Sequence, residues 1–180
     1  MIQLKEKELA LIDECISGLI SEEEFRNRFP FRVSMQEIVS YLDSFIINKN
    51  FQRFEVVLWN IPKEFTKTEE GSLFGSYLLI DGHFGHDNIA SAFQTYFNDN
   101  KSFINFLIEA ISNIPEYLQN DDVKYPYLRK IIYAIGAQPE PYNINALEVL
   151  LTNDDLQIVD LVKHQIEKRK SRGRWEAKSI

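Results

Sequence analysis

Apolar residues recur at intervals of three and four positions along most of this 180-residue chain, which is the spacing of one face of an α-helix. The clearest runs lie between residues 87 and 166, for example at Ile89, Phe93 and Phe97. Only 7 glycines and 6 prolines interrupt the chain, which favours helices over a β-sandwich with many turns. We therefore predict an all-α fold, and the length suits a single domain over residues 1–180.

Short polar signatures predict where several helices begin. Ser21 with Glu24, and Ser34 with Glu37, have the spacing of a capping box, in which the serine and glutamate side chains satisfy the first backbone amides. In HFGHDNIASAFQ, Asp87 stands directly before an apolar run and is predicted to cap the helix that follows.

Two segments are harder to assign. Residues 51–62 and 71–82 carry apolar residues at helical spacing, but their aromatic and β-branched content could also form strands. We predict helices for both, because their neighbours are helical and a lone hairpin would need a partner sheet. Residues 115–126, PEYLQNDDVKYP, are predicted to be a loop, and Gly18 and Gly136 to mark helix ends.

The second half of the chain is predicted to repeat a helical hairpin. A pair of helices at about 87–114 is followed by a pair at about 125–151, an offset of roughly 40 residues that is typical of HEAT repeats. We therefore divide the chain into an N-terminal helical part (1–80), HEAT-like repeats (81–172) and a flexible tail (173–180). The alternative is an irregular helical bundle.

The charge and the cysteine count restrict the partners and the compartment. A formal net charge of -7 argues against duplex nucleic acid as the main partner and suits a basic one. The single cysteine, Cys15, excludes an intramolecular disulfide and lies in an apolar stripe, where a buried inert thiol is expected. The N-terminus has no signal-peptide core and no apolar run is long enough to span a membrane, so we predict a cytoplasmic protein.

The C-terminal residues 163–180 are basic, with 7 Lys or Arg and 2 Asp or Glu. Cations at the end of a helix complement the carbonyl end of its dipole, and this is the favoured interpretation. The alternative is a patch that touches nucleic acid.

The candidates for chemistry are few. His83, His86 and Asp87 could supply three metal ligands, but the second Cys/His pair and the HExxH helix that typify zinc sites are missing. The alternative is that Asp87 caps the helix while the histidines tie down the preceding turn. The chain has no GxSxG elbow, phosphate-binding glycine loop or activated cysteine, so we predict neither a catalytic residue nor a cofactor.

Surface recognition is the remaining class of function. Three tyrosines in predicted loops, Tyr117, Tyr125 and Tyr142, are candidate anchors for a partner protein. Asp121 and Asp122 are candidates for steering a basic partner, although a solvated turn also explains them. The alternative for the tyrosines is that they cover the ends of the core with their hydroxyls in water.

The stretch HFGHDNIASAFQ resembles a signature of small bacterial HEAT-like repeat proteins, many of which are immunity proteins encoded beside secreted polymorphic toxins. The family signature is His-x-x-His-Glu-Asp-Ile, followed by an apolar helix with Leu-Gln near its end. The matching residues are His83, His86, Asp87, Ile89, Phe93 and Gln94, with Asn88 in the place of an acid and Phe93 in the place of leucine.

A second part of the chain is similar to a later helix of that family, Ala-x-Lys-Cys-Ile-Trp-Ala-Leu-Gly. The residues that line up are Lys130, Ile132, Tyr133, Ala134, Ile135 and Gly136, followed by a turn and by Ala146-Leu147-Glu148. The resemblance covers roughly residues 77–168, including a closing NDDLQIVDLVKHQIEK. It implies an α-α superhelix that binds another protein and performs no chemistry.

We therefore predict an α-α superhelix of HEAT-like repeats with an N-terminal helical subdomain. Its predicted function is that of a non-catalytic protein-binding module, an immunity protein that neutralises a bacterial toxin, such as a basic toxin domain, by direct binding. The alternatives are a metal-dependent hydrolase that uses His83, His86 and Asp87, and a helical scaffold whose basic tail touches nucleic acid.

Overall fold

The computed structural model describes residues 5–29, 34–61 and 64–172, and within these ranges every regular element is helical. The helices are α1 (Glu6–Ile16), α2 (Glu22–Arg28), α3 (Met35–Ile47), α4 (Phe51–Trp59), α5 (Lys67–Leu78), α6 (His86–Thr95), α7 (Phe103–Ser112), a 3₁₀ segment (Glu116–Leu118), α8 (Asp121–Ala137), α9 (Tyr142–Leu150) and α10 (Leu156–Arg172). The all-α prediction is confirmed, including α4 and α5, for which strands were the alternative. The predicted tail at 173–180 lies outside the described residues.

The described residues divide into two compact units. The first contains the residues up to Thr66 together with Gly82–Phe84, and the second contains Lys67–Asp81 together with the residues from Gly85 onwards. The predicted N-terminal part ended at residue 80, whereas α5 belongs with the second unit and packs against α6 and α7. The superhelical arrangement of the repeats stays a prediction.

The first unit is built on α4, which packs against both α1 and α3. Ile12, Leu42, Phe54 and Leu58 are buried between these helices, as their helical spacing predicts. Arg53 of α4 donates two hydrogen bonds to the Asp13 carboxylate of α1, at 2.8 and 2.6 Å. This bidentate pair fixes the two helices to one another outside the apolar core.

The predicted starts of α2 and α3 are present. Ser34 and Glu37 form a capping box, in which the Glu37 carboxylate accepts from the Ser34 backbone amide at 2.7 Å and the Ser34 hydroxyl accepts from the Glu37 amide at 3.3 Å. The Ser21 hydroxyl accepts from the Glu24 backbone amide at 3.1 Å. Local polar signatures therefore identified both helix starts correctly.

The second unit is organised around α8, which packs against α6, α7, α9 and α10. Leu128, Ile131, Ile132 and Ile135 have no exposed surface. None of the helices over the described residues combines the length and the apolar content that a membrane span requires.

The predicted loop at 115–126 is wrong over its second half. Asn120 caps α8 by accepting a hydrogen bond from the Asp122 amide at 3.0 Å, so the helix begins at Asp121. Pro126 lies in the second turn, where it lacks the N–H that would donate to the carbonyl four residues earlier. The helix continues through Pro126 because the turns that follow bury a large apolar face.

The prediction that a helix ends at Gly136 is confirmed to within one residue. Gly136 lies inside α8, which continues to Ala137, and it is buried. A Cβ atom at this position would lie 2.0 Å from Nε2 of Gln165 on α10. The glycine therefore permits the close approach of α10.

Gly18, with a φ of 73°, marks the end of α1 as predicted.

We expect Gly71→Ala to destabilise the protein. A Cβ at Gly71 would lie 2.3 Å from Cζ of Phe103, a fully buried ring that also packs against Phe93 and Phe97. Because this ring cannot move without repacking its neighbours, the clash should outweigh the gain in helix propensity and lower the free energy of unfolding by about 1–2 kcal/mol. The measurement is urea denaturation, and the exposed Ser76→Ala of the same helix should change stability by less than about 0.5 kcal/mol.

Candidate functional site

His83 is a core residue of the first unit. Its side chain is buried, and its ring stacks on the Phe54 ring with a centroid distance of 4.6 Å and an interplanar angle of 27°. The imidazole here contributes an aromatic surface to the packing of α4. This contact was not visible in the sequence, because Phe54 is distant from His83 along the chain.

His86 is the first residue of α6 and is fully buried in the second unit. Its Nε2 lies 3.1 Å from the carbonyl oxygen of Ile80, and its Nδ1 lies 3.1 Å from the hydroxyl of Tyr117. A carbonyl can only accept, so Nε2 carries a proton and donates it, and in the neutral ring Nδ1 accepts from the tyrosine. The imidazole thus ties α6 both to the preceding turn, as predicted, and to the 3₁₀ segment.

Asp87 does not cap α6. Gly85 occupies the cap position, and the helix already includes His86. The Asp87 carboxylate forms an ion pair with Lys130 of α8 instead. A negative charge in the first turn still complements the helix dipole, but the partner that fixes its position comes from another helix.

The structure also shows where the proposed metal ligands lie. Over the ranges that the structure describes, no three His, Cys, Asp or Glu side chains lie close enough together to hold a metal ion. The three candidates have separate contacts: His83 with Phe54, His86 with Ile80 and Tyr117, and Asp87 with Lys130.

Tyr127 is a polar residue near this site that the sequence analysis missed. Its side chain is 1% exposed, and its hydroxyl has no hydrogen-bond partner. Burial raises the pKa of this phenol well above its usual value, and the nearby Tyr117 and Asp87 raise it further. The spacing of Tyr127 to Ile131 and Ile135 was the signal that could have placed it on the buried face of α8.

We name His86, Asp87, Tyr117, Tyr127 and Lys130 the α6 cluster. Its members come from α6, the 3₁₀ segment and α8. Their solvent exposure increases from the fully buried imidazole of His86 to the half-exposed ion pair of Asp87 and Lys130. Within the cluster, His86 holds the Tyr117 hydroxyl by a hydrogen bond. The Tyr117 ring, 36% exposed, therefore reaches the surface in a defined orientation.

Next to the cluster, residues 116–123 form a surface that we name the acidic–aromatic surface. Its exposed acidic and apolar members are Glu116, Tyr117, Asp121, Asp122 and Val123, and Gln119 and Asn120 are exposed between them. The Asp81 carboxylate accepts a hydrogen bond from the Glu116 backbone amide at 3.4 Å, which connects this surface to the segment before α6. Three of the five predicted partner-binding residues, Tyr117, Asp121 and Asp122, thus lie close together.

The other two predicted residues lie elsewhere. The Tyr125 hydroxyl donates to Oδ2 of Asp155 at 3.1 Å, and Lys124 donates to the same oxygen at 3.2 Å. Burial raises the pKa of Asp155, but these hydrogen bonds and the Lys124 charge outweigh it and lower the pKa. Tyr125 is therefore an internal link between α8 and the residues before α10.

Tyr142 is the first residue of α9 rather than part of a loop, and it is half-exposed. The Lys101 ammonium lies 4.4 Å from its ring centroid and 3.2 Å from its hydroxyl oxygen. The expectation that the tyrosine hydroxyls only face water is thus wrong for Tyr117 and Tyr125, whose hydroxyls bond to His86 and Asp155.

Comparisons with protein families, with characterised proteins and with solved structures gave no match. The resemblance to immunity proteins therefore depends on the motif residues. Two of them, Asp87 from the first motif and Lys130 from the second, form an ion pair in this structure.

We expect replacement by phenylalanine to change the free energy of unfolding differently at Tyr117 and at Tyr127. Tyr117→Phe removes the hydroxyl that bonds to buried His86 and should lower the free energy of unfolding by about 1–2 kcal/mol. Tyr127→Phe removes a buried hydroxyl without a partner and should leave stability unchanged or raise it by about 1 kcal/mol. Urea denaturation measures both, and equal losses at the two positions would contradict this assignment of the hydrogen bonds.

We expect Asp155→Asn to alter the acid sensitivity of the protein. Because the pKa of Asp155 is lowered on folding, its contribution to stability is complete above the unfolded value of about 4 and is lost as the pH falls through the folded value. The variant should lose about 1 kcal/mol at pH 7 and less as the pH approaches 3. Denaturation at pH 3, 5 and 7 tests this, and a difference that does not depend on pH would exclude the Lys124–Asp155 pair as its cause.

Proposed function

We propose that the chain is a non-catalytic, cytoplasmic protein-binding module, and most specifically an immunity protein that neutralises a bacterial toxin by direct binding. The observation that carries the proposal is the acidic–aromatic surface. There the exposed Tyr117, whose hydroxyl is hydrogen-bonded to buried His86, is surrounded by exposed carboxylates. In this proposal the hairpins α6–α7 and α8–α9 are the two HEAT-like repeats, and the surface lies where one repeat leads into the next.

The fixed orientation of Tyr117 favours a role in recognition. Binding costs conformational entropy when a flexible side chain is ordered at an interface, and a ring that is already held loses less. The hydrogen bond from the Tyr117 hydroxyl to His86 supplies this order before any partner arrives. Tyrosine is also enriched among the residues that contribute most to protein–protein binding.

The charges around Tyr117 favour a basic partner. Glu116, Asp121 and Asp122 are exposed, while Lys124, the nearest cation along the chain, is engaged with Asp155. A net charge of -7 adds a long-range field of the same sign. Such a field accelerates the encounter with a positively charged protein and disfavours acidic competitors.

A recess beside this surface could receive one basic side chain. It has a volume of about 350 Å³ and is lined by Leu79, Asp81, Ser112, Asn113, Ile114 and Pro115. The Asp81 carboxylate supplies a negative charge in its wall. This arrangement fits a lysine or arginine of the partner, whose charged end would meet the carboxylate.

Co-expression with the protein encoded by the neighbouring gene tests the function. We expect that protein to inhibit growth when it is expressed alone, and this chain to restore growth and to co-purify with it. Growth inhibition that persists in the presence of this chain, without co-purification, would contradict the proposal.

We expect the double variant Asp121→Asn, Asp122→Asn to associate with that partner about tenfold more slowly at low salt, with a smaller difference at high salt. The matched control is Glu22→Gln with Glu23→Gln, which removes two exposed acids from the first turn of α2. Surface plasmon resonance at two salt concentrations measures both. Equal slowing by the two pairs would indicate a general charge effect and would contradict binding at the acidic–aromatic surface.

A further inference from the structure

The buried face of α10 carries polar groups that have no partner. Gln165 is fully buried, and neither its amide nitrogen nor its amide oxygen forms a hydrogen bond. Arg169 is 5% exposed, and its Nε and Nη1 atoms also lack partners. Since a buried polar group without a hydrogen bond costs free energy, and a buried charge costs more, these side chains call for an explanation.

The Gln165 and Arg169 side chains lie on the same face of α10. They are four positions apart on α10 and therefore lie on one face of it, the face that packs against α8. The approach is close, because a Cβ at Gly136 of α8 would lie 2.0 Å from Nε2 of Gln165. The Gln165 amide fills the space that the Cβ of an alanine at position 136 would need.

The surroundings are those of a site for a negatively charged group. Burial lowers the pKa of Arg169, and the negative charge of the Glu140 carboxylate opposes this only in part. Lys168, the next residue along α10, brings a second cation, with its ammonium 4.5 Å from the Tyr133 ring centroid. Among the described residues, no ion pair of Arg169 offsets its charge.

A cavity lies along the same helix, on the face next to the one that carries Gln165 and Arg169. This cavity of about 480 Å³ has His164, Glu167, Lys168 and Ser171 among its lining residues. Lys168 thus borders both this cavity and the ring of Tyr133. Two of the lining side chains, those of His164 and Lys168, can donate hydrogen bonds from a ring nitrogen or an ammonium.

We propose that Gln165 and Arg169, with Lys168 beside them, bind an oxyanion, that is, the carboxylate or phosphate group of a small molecule. A guanidinium presents donors that match carboxylate and phosphate oxygens, and an anion neutralises the charge, which water cannot do. The Gln165 amide donates a further hydrogen bond to the anion, and its oxygen accepts from a hydroxyl of the ligand. This site is separate from the acidic–aromatic surface and does not depend on the proposed protein-binding function.

Thermal unfolding of the full chain in sodium chloride, sodium acetate and sodium phosphate, at equal ionic strength, tests the proposal. We expect acetate or phosphate to raise the melting temperature by roughly 4 °C over chloride at ten times the dissociation constant. A larger shift with acetate identifies a carboxylate site, and a larger shift with phosphate identifies a phosphate site. Equal melting temperatures in all three salts would overturn the proposal.

Two matched variants separate binding from a structural role. Arg169→Met should melt in chloride at or above the temperature of the unmodified chain, because it removes an unpaired buried charge, and should show no additional shift with acetate or phosphate. Lys170→Met removes an exposed charge from the neighbouring position and should respond to the anions as the unmodified chain does. An Arg169→Met variant that still responds fully would overturn the proposal.

A direct titration keeps the proposal falsifiable if Arg169→Met does not fold. Phosphate and acetate are titrated separately into the unmodified chain and into Arg169→Lys, and the heat of binding is measured by calorimetry. We expect saturable binding of one of these anions to the unmodified chain, and at least tenfold weaker binding to the lysine variant, which keeps the charge but loses the planar donor group. The absence of saturable heat for the unmodified chain, or equal affinities, would refute the proposal.

Discussion

The second unit depends on the burial of α8. This helix contacts four others, and its apolar residues from Leu128 to Ile135 include several side chains with no exposed surface. Burying such side chains contributes about 1.5–3 kcal/mol each, which outweighs the hydrogen bond that Pro126 removes from the second turn. The same burial brings both α6 and α10 against α8, and buried polar side chains lie at each of these contacts.

At the contact of α6 with α8, buried polar side chains form hydrogen bonds that orient Tyr117 at the surface. His86 is buried with a partner at each ring nitrogen, and one of these partners is Tyr117, whose ring is half in solvent. The ion pair of Asp87 with Lys130 joins the two helices nearby. A buried hydrogen-bonded group is hard to displace, because its partner would be left unsatisfied. This rigidity is what the proposed binding function needs from a helical scaffold.

At the contact of α10 with α8, the polar groups are not satisfied by the protein. The contrast with His86 is informative, because the same central helix has a paired imidazole on one side and an unpaired amide and guanidinium on the other. Tyr127 shows that the first side also contains one unpaired hydroxyl. A buried hydroxyl without a hydrogen-bond partner costs little free energy, whereas a buried charge without an ion-pair partner costs more. For this reason we assign a ligand to Arg169 and none to Tyr127.

The sequence by itself determined the helical class, the starts of α2 and α3 and many of the core residues, because these depend on local spacing and on side chains that bond within four residues, as at Ser34 and Glu37. It did not determine which side chains would meet. Asp87 looked like a helix cap and residues 121–126 like a loop, whereas in the structure Asp87 pairs with Lys130 and α8 begins at Asp121. Partner choice is a property of the tertiary structure, since packing around α8 decides which of several possible hydrogen bonds and ion pairs each group can form.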